Sequence, residues 1–181
     1  AVKFYAVFDW QPMLSEMRLI KSPNEIRLMQ QAGQITAFGH IKAMQVTCPN
    51  RFEYEIESEI LHEFNRHGAR FPSYNSIIAG GDNACILHYT ENDQPLKDGD
   101  LVLIDAGCEF AMYAGDITRT FPVNGQFTQP QREIYELVLK AQKRAIELLV
   151  PGNSIKLAND EVIRIKTQGL VDLGILKGDV D

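Results

Sequence analysis

Leu101-Val-Leu-Ile-Asp-Ala-Gly-Cys-Glu-Phe-Ala-Met-Tyr-Ala-Gly-Asp-Ile-Thr-Arg-Thr-Phe-Pro-Val123 reads as two apolar β-strands joined by a short connection, with one carboxylate on each: Asp105 and Asp116. Strand side chains alternate between faces, so Leu101, Leu103 and Asp105 share one face of the first strand. On the second, Asp116, Thr118 and Thr120 share a face, and Ile117, Arg119 and Phe121 take the other. Neighbouring strands lie about 4.8 Å apart, close enough for both carboxylates to reach one patch. Two anions on an apolar sheet repel and resist desolvation unless a proton or cation lies between them. A pair of divalent cations meets that need: carboxylate oxygens suit Mn, Mg or Ca, and two-metal hydrolase sites hold their ions about 3.5–4 Å apart.

A single Asp at a strand end is commonly a solvated turn residue, and the spacing of this pair taken alone favours that reading. The surroundings argue otherwise. Asp105 follows four apolar residues and precedes Gly107, and Asp116 follows Gly115 and opens an Ile-Thr-Arg-Thr-Phe strand.

Working outward, Ser22-Pro-Asn-Glu25 announces a helix, with Ser22 as N-cap, Pro23 in the first turn and Glu25 closing a capping box. Ile26, Leu28, Met29, Ala32 and Ile35 then keep helical spacing to about Val46. Asn50 with Glu53 is expected to cap a second helix carrying Ile56, Ile60, Leu61 and Phe64, stopped by Gly68. The charged run Glu53–Glu59 reads as its solvated face. Residues 69–123 carry the β signals, punctuated by Pro72, Gly80-Gly81 and Lys97–Asp100. Gly80-Gly81 lacks the context of a phosphate loop. Thr128 caps a third helix whose buried stripe runs through Ile134, Leu137, Val138, Ala141, Ala145 and Leu148. Pro151-Gly152 ends it, Ser154 caps a fourth helix to about Leu170, and a loop closes the chain. Before all this, Val2–Phe8 is strand-like and Asp9–Pro12 reads as a turn. The order predicts an α+β domain with helices over one face of a mostly antiparallel sheet.

A chain of 181 residues can build one sizeable core, and 45% hydrophobic with 23% charged residues is ordinary globular composition. A net charge of −6 argues against nonspecific nucleic-acid binding. No apolar run is long enough for a membrane span, and the amino terminus lacks a signal-peptide pattern. Cys48, Cys85 and Cys108, odd in number and without a CxxC pair, read as buried thiols in a reducing cytoplasm.

Three blocks together resemble the pita-bread metallopeptidases, most closely the bacterial Xaa-Pro aminopeptidase (aminopeptidase P) family. They are Asp105-Ala-Gly with Gly115-Asp-Ile-Thr-Arg-Thr-Phe-Pro122, Ser73–Asn92 with its Leu87-His-Tyr-Thr-Glu-Asn92, and Glu16–Glu25. The resemblance implies the first half of a pita-bread catalytic domain over residues 22–181, with 1–21 as the end of an amino-terminal domain and linker. It implies Asp105 and Asp116 as metal ligands, Asp116 bridging, and His88 as a catalytic residue beside the metals. A lone His in the strand-like run Ile86–Tyr89 would otherwise read as a core residue; His40, His62 and His67 read as solvated or partly buried. Thr118 and Thr120 are candidates for hydrogen bonds that support the ligands, and Arg119 reads as structural. The implied activity is release of the residue preceding a proline from a peptide amino terminus, with two Mn²⁺ ions. The implied setting is a cytoplasmic homo-oligomer with peptide as its partner, and neither nucleic acid nor membrane. The family completes its site with a His and two Glu from a second half. No His follows Asp116 here, so the chain is expected to be an inactive fragment with two of five ligands. Proline dipeptidase and a non-catalytic pita-bread module that binds peptides or proteins are the alternatives.

Overall fold

The computed structural model describes residues 9–178, so the strand expected at Val2–Phe8 and the last three residues lie outside it. The elements are α1 (Gln11–Leu19), α2 (Pro23–Val46), α3 (Glu53–Arg66), β1 (Phe71–Pro72), β2 (Ile77–Gly80), β3 (Leu101–Ala106), β4 (Cys108–Phe110), β5 (Tyr113–Ala114), β6 (Ile117–Pro122), α4 (Gln129–Leu148) and α5 (Ile155–Asp172). The chain divides after Gly125 into two compact units. No described helix is long and apolar enough to cross a membrane.

Asp9–Pro12 leads into a helix rather than a turn. Asp9 Oδ1 accepts from Gln11 N at 3.0 Å, and Pro12 occupies the first turn, where its missing N–H would be unpaired anyway. At α2 the expected box forms: Glu25 N donates to Ser22 Oγ at 3.3 Å and Ser22 N to Glu25 Oε2 at 2.7 Å. At α3 only half of a box forms, and elsewhere: Phe52 N donates to Glu55 Oε2 at 2.7 Å, and the Phe52 side chain has no acceptor to complete it. Asn50 is instead a turn residue with φ +71°, its N–H bonded to Leu96 O, while Leu96 N donates to Arg51 O. Residues 50–52 therefore run alongside 94–96 before the helix begins.

The main sheet is antiparallel in the order β2-β3-β6. Val102, Ile104 and Ala106 of β3 are fully buried against Ala32, Ile35 and Ala43 of α2 and Ile56, Ile60 and Phe64 of α3. Each large aliphatic side chain buried there contributes about 1.5–3 kcal/mol. The opposite face carries Leu103 and Asp105, with Ile77 paired to Asp105 and Ala79 to Leu103. Helices thus cover one face, as the alternation predicts, and the other holds a small cluster of Ile77, Ala79, Leu103 and Tyr89. A smaller sheet, β1-β4-β5, continues the long hairpin beyond β3 and β6.

In the second unit α4 and α5 pack as a pair, their caps falling at Thr128 and Ser154 as expected. The α4 stripe is narrower than its periodicity suggests. Only Ala141 is fully buried and Val138 is 51% exposed, because two helices facing one another bury a seam rather than a broad face.

Candidate active site

The β3–β6 ladder pairs Leu103 with Thr120, Asp105 with Thr118 and Ala106 with Ile117. Asp116 lies two residues before Thr118, on the same face as Asp105. Just past Ala106 the two strands pinch together. A Cβ on Gly107 would lie 1.8 Å from Gly115 O, and one on Gly115 would lie 2.1 Å from Thr36 Oγ1, so neither position admits a side chain. Gly115 N donates to Cys108 O at 2.7 Å, and Ser73 clasps the pinch from outside. Its N–H donates to Gly107 O at 2.9 Å and its hydroxyl to Gly115 O at 2.8 Å. From the core side, Cys108 N donates to Thr36 Oγ1 at 3.1 Å. Beyond it the hairpin closes through Ala111 and Met112, with φ +50° and +70°, the backbone of a type I′ turn.

The pinch separates Asp105 from Asp116 in sequence, and Tyr74 joins them in space. The Tyr74 hydroxyl lies 2.5 Å from Asp105 Oδ1 and 2.9 Å from Asp116 Oδ1. A phenol carries one proton, so it donates to one carboxylate at a time. Burial, then the two carboxylates, push its pKa well above the ordinary phenol value, and it stays protonated. Two converging carboxylates thus share a single donor proton. Such an all-oxygen anionic pair suits a hard divalent cation, and the residues present fit that group. Among the described residues no group of three or more His, Cys, Asp or Glu gathers for a metal ion, so the two aspartates stand as a pair.

His88 lies on the same recess, an open volume of about 410 Å³ lined by Tyr74, Ile77, Thr90 and both aspartates. The strand expected at Ile86–Tyr89 does not form. The segment follows a 3₁₀ turn (Gly81–Cys85), and His88 is a turn residue with φ +58° and an exposed ring. Leu87 is 85% exposed, and Tyr89 rather than His88 supplies the buried contact. An adjoining recess of about 300 Å³ shares Ile77, His88 and Asp105 and reaches Thr118. Thr118 is exposed there and Thr120 half-buried. Arg119 pairs with Ile104, on the face away from Asp105.

Other side chains also depart from their sequence reading. His40 is 3% exposed, with Nε2 3.2 Å from Ala106 O behind β3. Burial holds its pKa below the usual imidazole value, so the neutral ring donates to that carbonyl. Glu53, read as solvated, is 1% exposed. Of the thiols only Cys108 is buried; Cys48 and Cys85 are exposed, and all three are free. Tyr74 was missed entirely, since nothing in a Ser-Tyr-Asn-Ser string announces a phenol between two carboxylates.

A carboxylate pair on a bent antiparallel hairpin, facing a His-bearing loop over a helix-backed sheet, is the geometry of a metallohydrolase half-site. The chain belongs to metallopeptidase family M24, which its residues 27–175 match. It is 90% identical over its full length to the Xaa-Pro aminopeptidase of Haemophilus influenzae, and spans 42% of that protein. Over 97% of the chain it is 61% identical to the Xaa-Pro aminopeptidase of Escherichia coli, spanning 40% of it. Zinc-substituted E. coli aminopeptidase P in complex with product superposes with a TM-score of 0.94 at 62% identity, covering 96% of this chain and 39% of that one. Proline aminopeptidase P II from Yersinia pestis gives 0.93 at 60%, covering 95% and 39%. The fold is therefore that of a pita-bread metallopeptidase, a hydrolase class that works with a divalent metal.

Proposed function

We propose that this chain is the first catalytic half of an Xaa-Pro aminopeptidase, acting in a longer protein that supplies the rest of the site. The observation that carries it is the convergence of Asp105 and Asp116 on one phenol, opposite an exposed His88, in a chain 90% identical to an Xaa-Pro aminopeptidase. Asp105 and Asp116 would hold the metal, which we take as a pair of Mn²⁺ ions. When bound, the metal lowers the pKa of water and polarises the peptide carbonyl. The chain's own residues bind and orient around that chemistry. Tyr74 keeps the carboxylate oxygens aimed together, and His88 presents an imidazole that can hydrogen-bond the scissile region and stabilise charge developing on it. The substrate is a peptide with proline in second place. The reading includes a cytoplasmic setting, supported by the three free thiols, and a homo-oligomeric intact enzyme that engages neither nucleic acid nor membrane.

The test is a peptidase assay with added Mn²⁺ on an Xaa-Pro peptide longer than a dipeptide, beside a chelated control. The 181-residue chain is expected to be inactive, since two carboxylates do not complete a binuclear coordination sphere. The longer protein is expected to release the first residue in a metal-dependent way. Metal-dependent turnover by the 181 residues alone would overturn the half-site reading. Cleavage confined to dipeptides would overturn the aminopeptidase assignment.

A further inference from the structure

The loop that carries His88 has little backbone pairing of its own. Between β2 and β3 it contains a 3₁₀ turn, the His88 turn and one isolated bridge, Phe52 to Pro95. Its far end is tied by backbone bonds of Gln94 and Leu96 to residues 50–53, and the stretch around His88 is held by a buried carboxylate on α3. Glu53 Oε1 accepts from Gly80 N at 2.8 Å and Asn83 Nδ2 at 3.0 Å. Its Oε2 accepts from Tyr89 Oη at 2.6 Å and Gln94 N at 3.1 Å. These donors sample the start, middle and end of the loop, and one of them is the residue next to His88. The ion pairs of α3 run through Glu55, Glu59 and Glu63 instead. One helical turn on, Glu57 Oε2 accepts from Asn92 Nδ2 at 3.0 Å, and Asn92 Oδ1 accepts from Ile78 N of β2. Burial, then the Glu53 hydrogen bond, push the Tyr89 phenol up to about 12, so this donor keeps its proton.

We infer that Glu53 is a positioning residue for the proposed peptidase reaction, fixing the His88 imidazole opposite Asp105 and Asp116 through its clasp on Tyr89 and Gln94. The inference rests on the function proposed above, and Glu53 itself lines neither recess. A neutral amide in its place turns a donor toward groups that already donate, leaving at least one buried N–H or O–H unpaired. The loop must then shift, and misplacing a reacting group by about 1 Å costs on the order of 10²-fold.

The experiment is a double-mutant cycle in the longer, metal-loaded protein, comparing wild type, Glu53→Gln, His88→Ala and the double variant. Glu53→Gln should lower kcat by about 10²-fold while KM and bound metal hold. In the His88→Ala background the same change should cost less than about 3-fold, because interacting residues are non-additive. An equal loss in both backgrounds would overturn the inference. Tyr89→Phe removes one donor and keeps the ring, so it tests the clasp in a protein that folds; it should show the same pattern with a smaller loss. A readout independent of activity is the His88 ring signal in histidine-labelled protein, identified by its disappearance in His88→Ala. That signal should shift in Glu53→Gln and in Tyr89→Phe, and an unmoved signal in both overturns the inference. Wild-type protein that fails to cleave Xaa-Pro peptides refutes the proposed function instead, and the ring signal alone then decides the case for Glu53.

Discussion

The two walls of the recess are built on different principles. The aspartates ride on a hairpin whose position is set by a backbone ladder, Asp105 against Thr118 and Leu103 against Thr120. His88 rides on a loop without such a ladder, held by side chains from a helix some thirty residues earlier in the chain. A ladder couples each residue to its neighbours, so its geometry survives most side-chain changes and fails where the backbone itself is obstructed. A loop tied by a carboxylate fails at the tie. The carboxylate wall should therefore be sensitive at its glycines, and the imidazole wall at distant polar residues.

The largest expected effect isolates the imidazole wall. In the longer protein His88→Ala should leave bound metal nearly unchanged and lower turnover by about 10²–10⁴-fold, the usual range for acid–base or electrostatic groups. Metal analysis beside steady-state kinetics checks it; lost metal would move His88 to the ligand set. Next comes the hairpin. Gly107→Ala drives a Cβ toward the Gly115 carbonyl, a backbone atom pinned by Ser73. Overpacking commonly costs about 1–3 kcal/mol, and this position should reach the upper end or beyond. Chemical denaturation of wild type and variant measures it, and a shift under ~1 kcal/mol would mean that the pinch can open.

The smallest effect concerns the tip of the hairpin, where Tyr113 Oη donates to Glu25 Oε1 at 2.6 Å. That bond, with those from Ser22, lowers the Glu25 pKa from 4.5 to about 2. A depressed carboxylate contributes stability that is present above its unfolded value and lost as pH falls through the folded one. Thermal unfolding of wild type and Glu25→Gln should therefore differ above pH 4.5, and the gap should close between pH 4.5 and 2. A gap constant across that window would detach the hairpin tip from α2.

Much of the carboxylate wall was legible because its cause is local. Period-two alternation in Leu101–Asp105 and in Asp116–Thr120 fixes which side chains share a face, whatever the rest of the chain does. The helix caps at Ser22, Thr128 and Ser154 were legible for the same reason. The His88 loop was misread as a strand because Ile86 and Leu87 are apolar, although both are exposed here. Glu53 was misread as solvated because helical charge runs usually are; the four donors that bury it come from residues 80–94, and no pattern within α3 reports them. The same holds for Tyr74, whose partners are 31 and 42 residues away, and for His40, whose partner is a strand carbonyl.

The sequence by itself determined the helices of the core, the hairpin, the face shared by its two aspartates and, through three blocks of residues, the family. Alternation, capping and helical period act within a few residues, so the chain carries them at every stage of folding. Only the tertiary structure decided that a phenol joins the aspartates, that two glycines must touch, and that a buried glutamate holds the histidine loop. Those contacts link residues tens of positions apart, and each exists only once the packed core has removed water from its polar groups and left them no other partner.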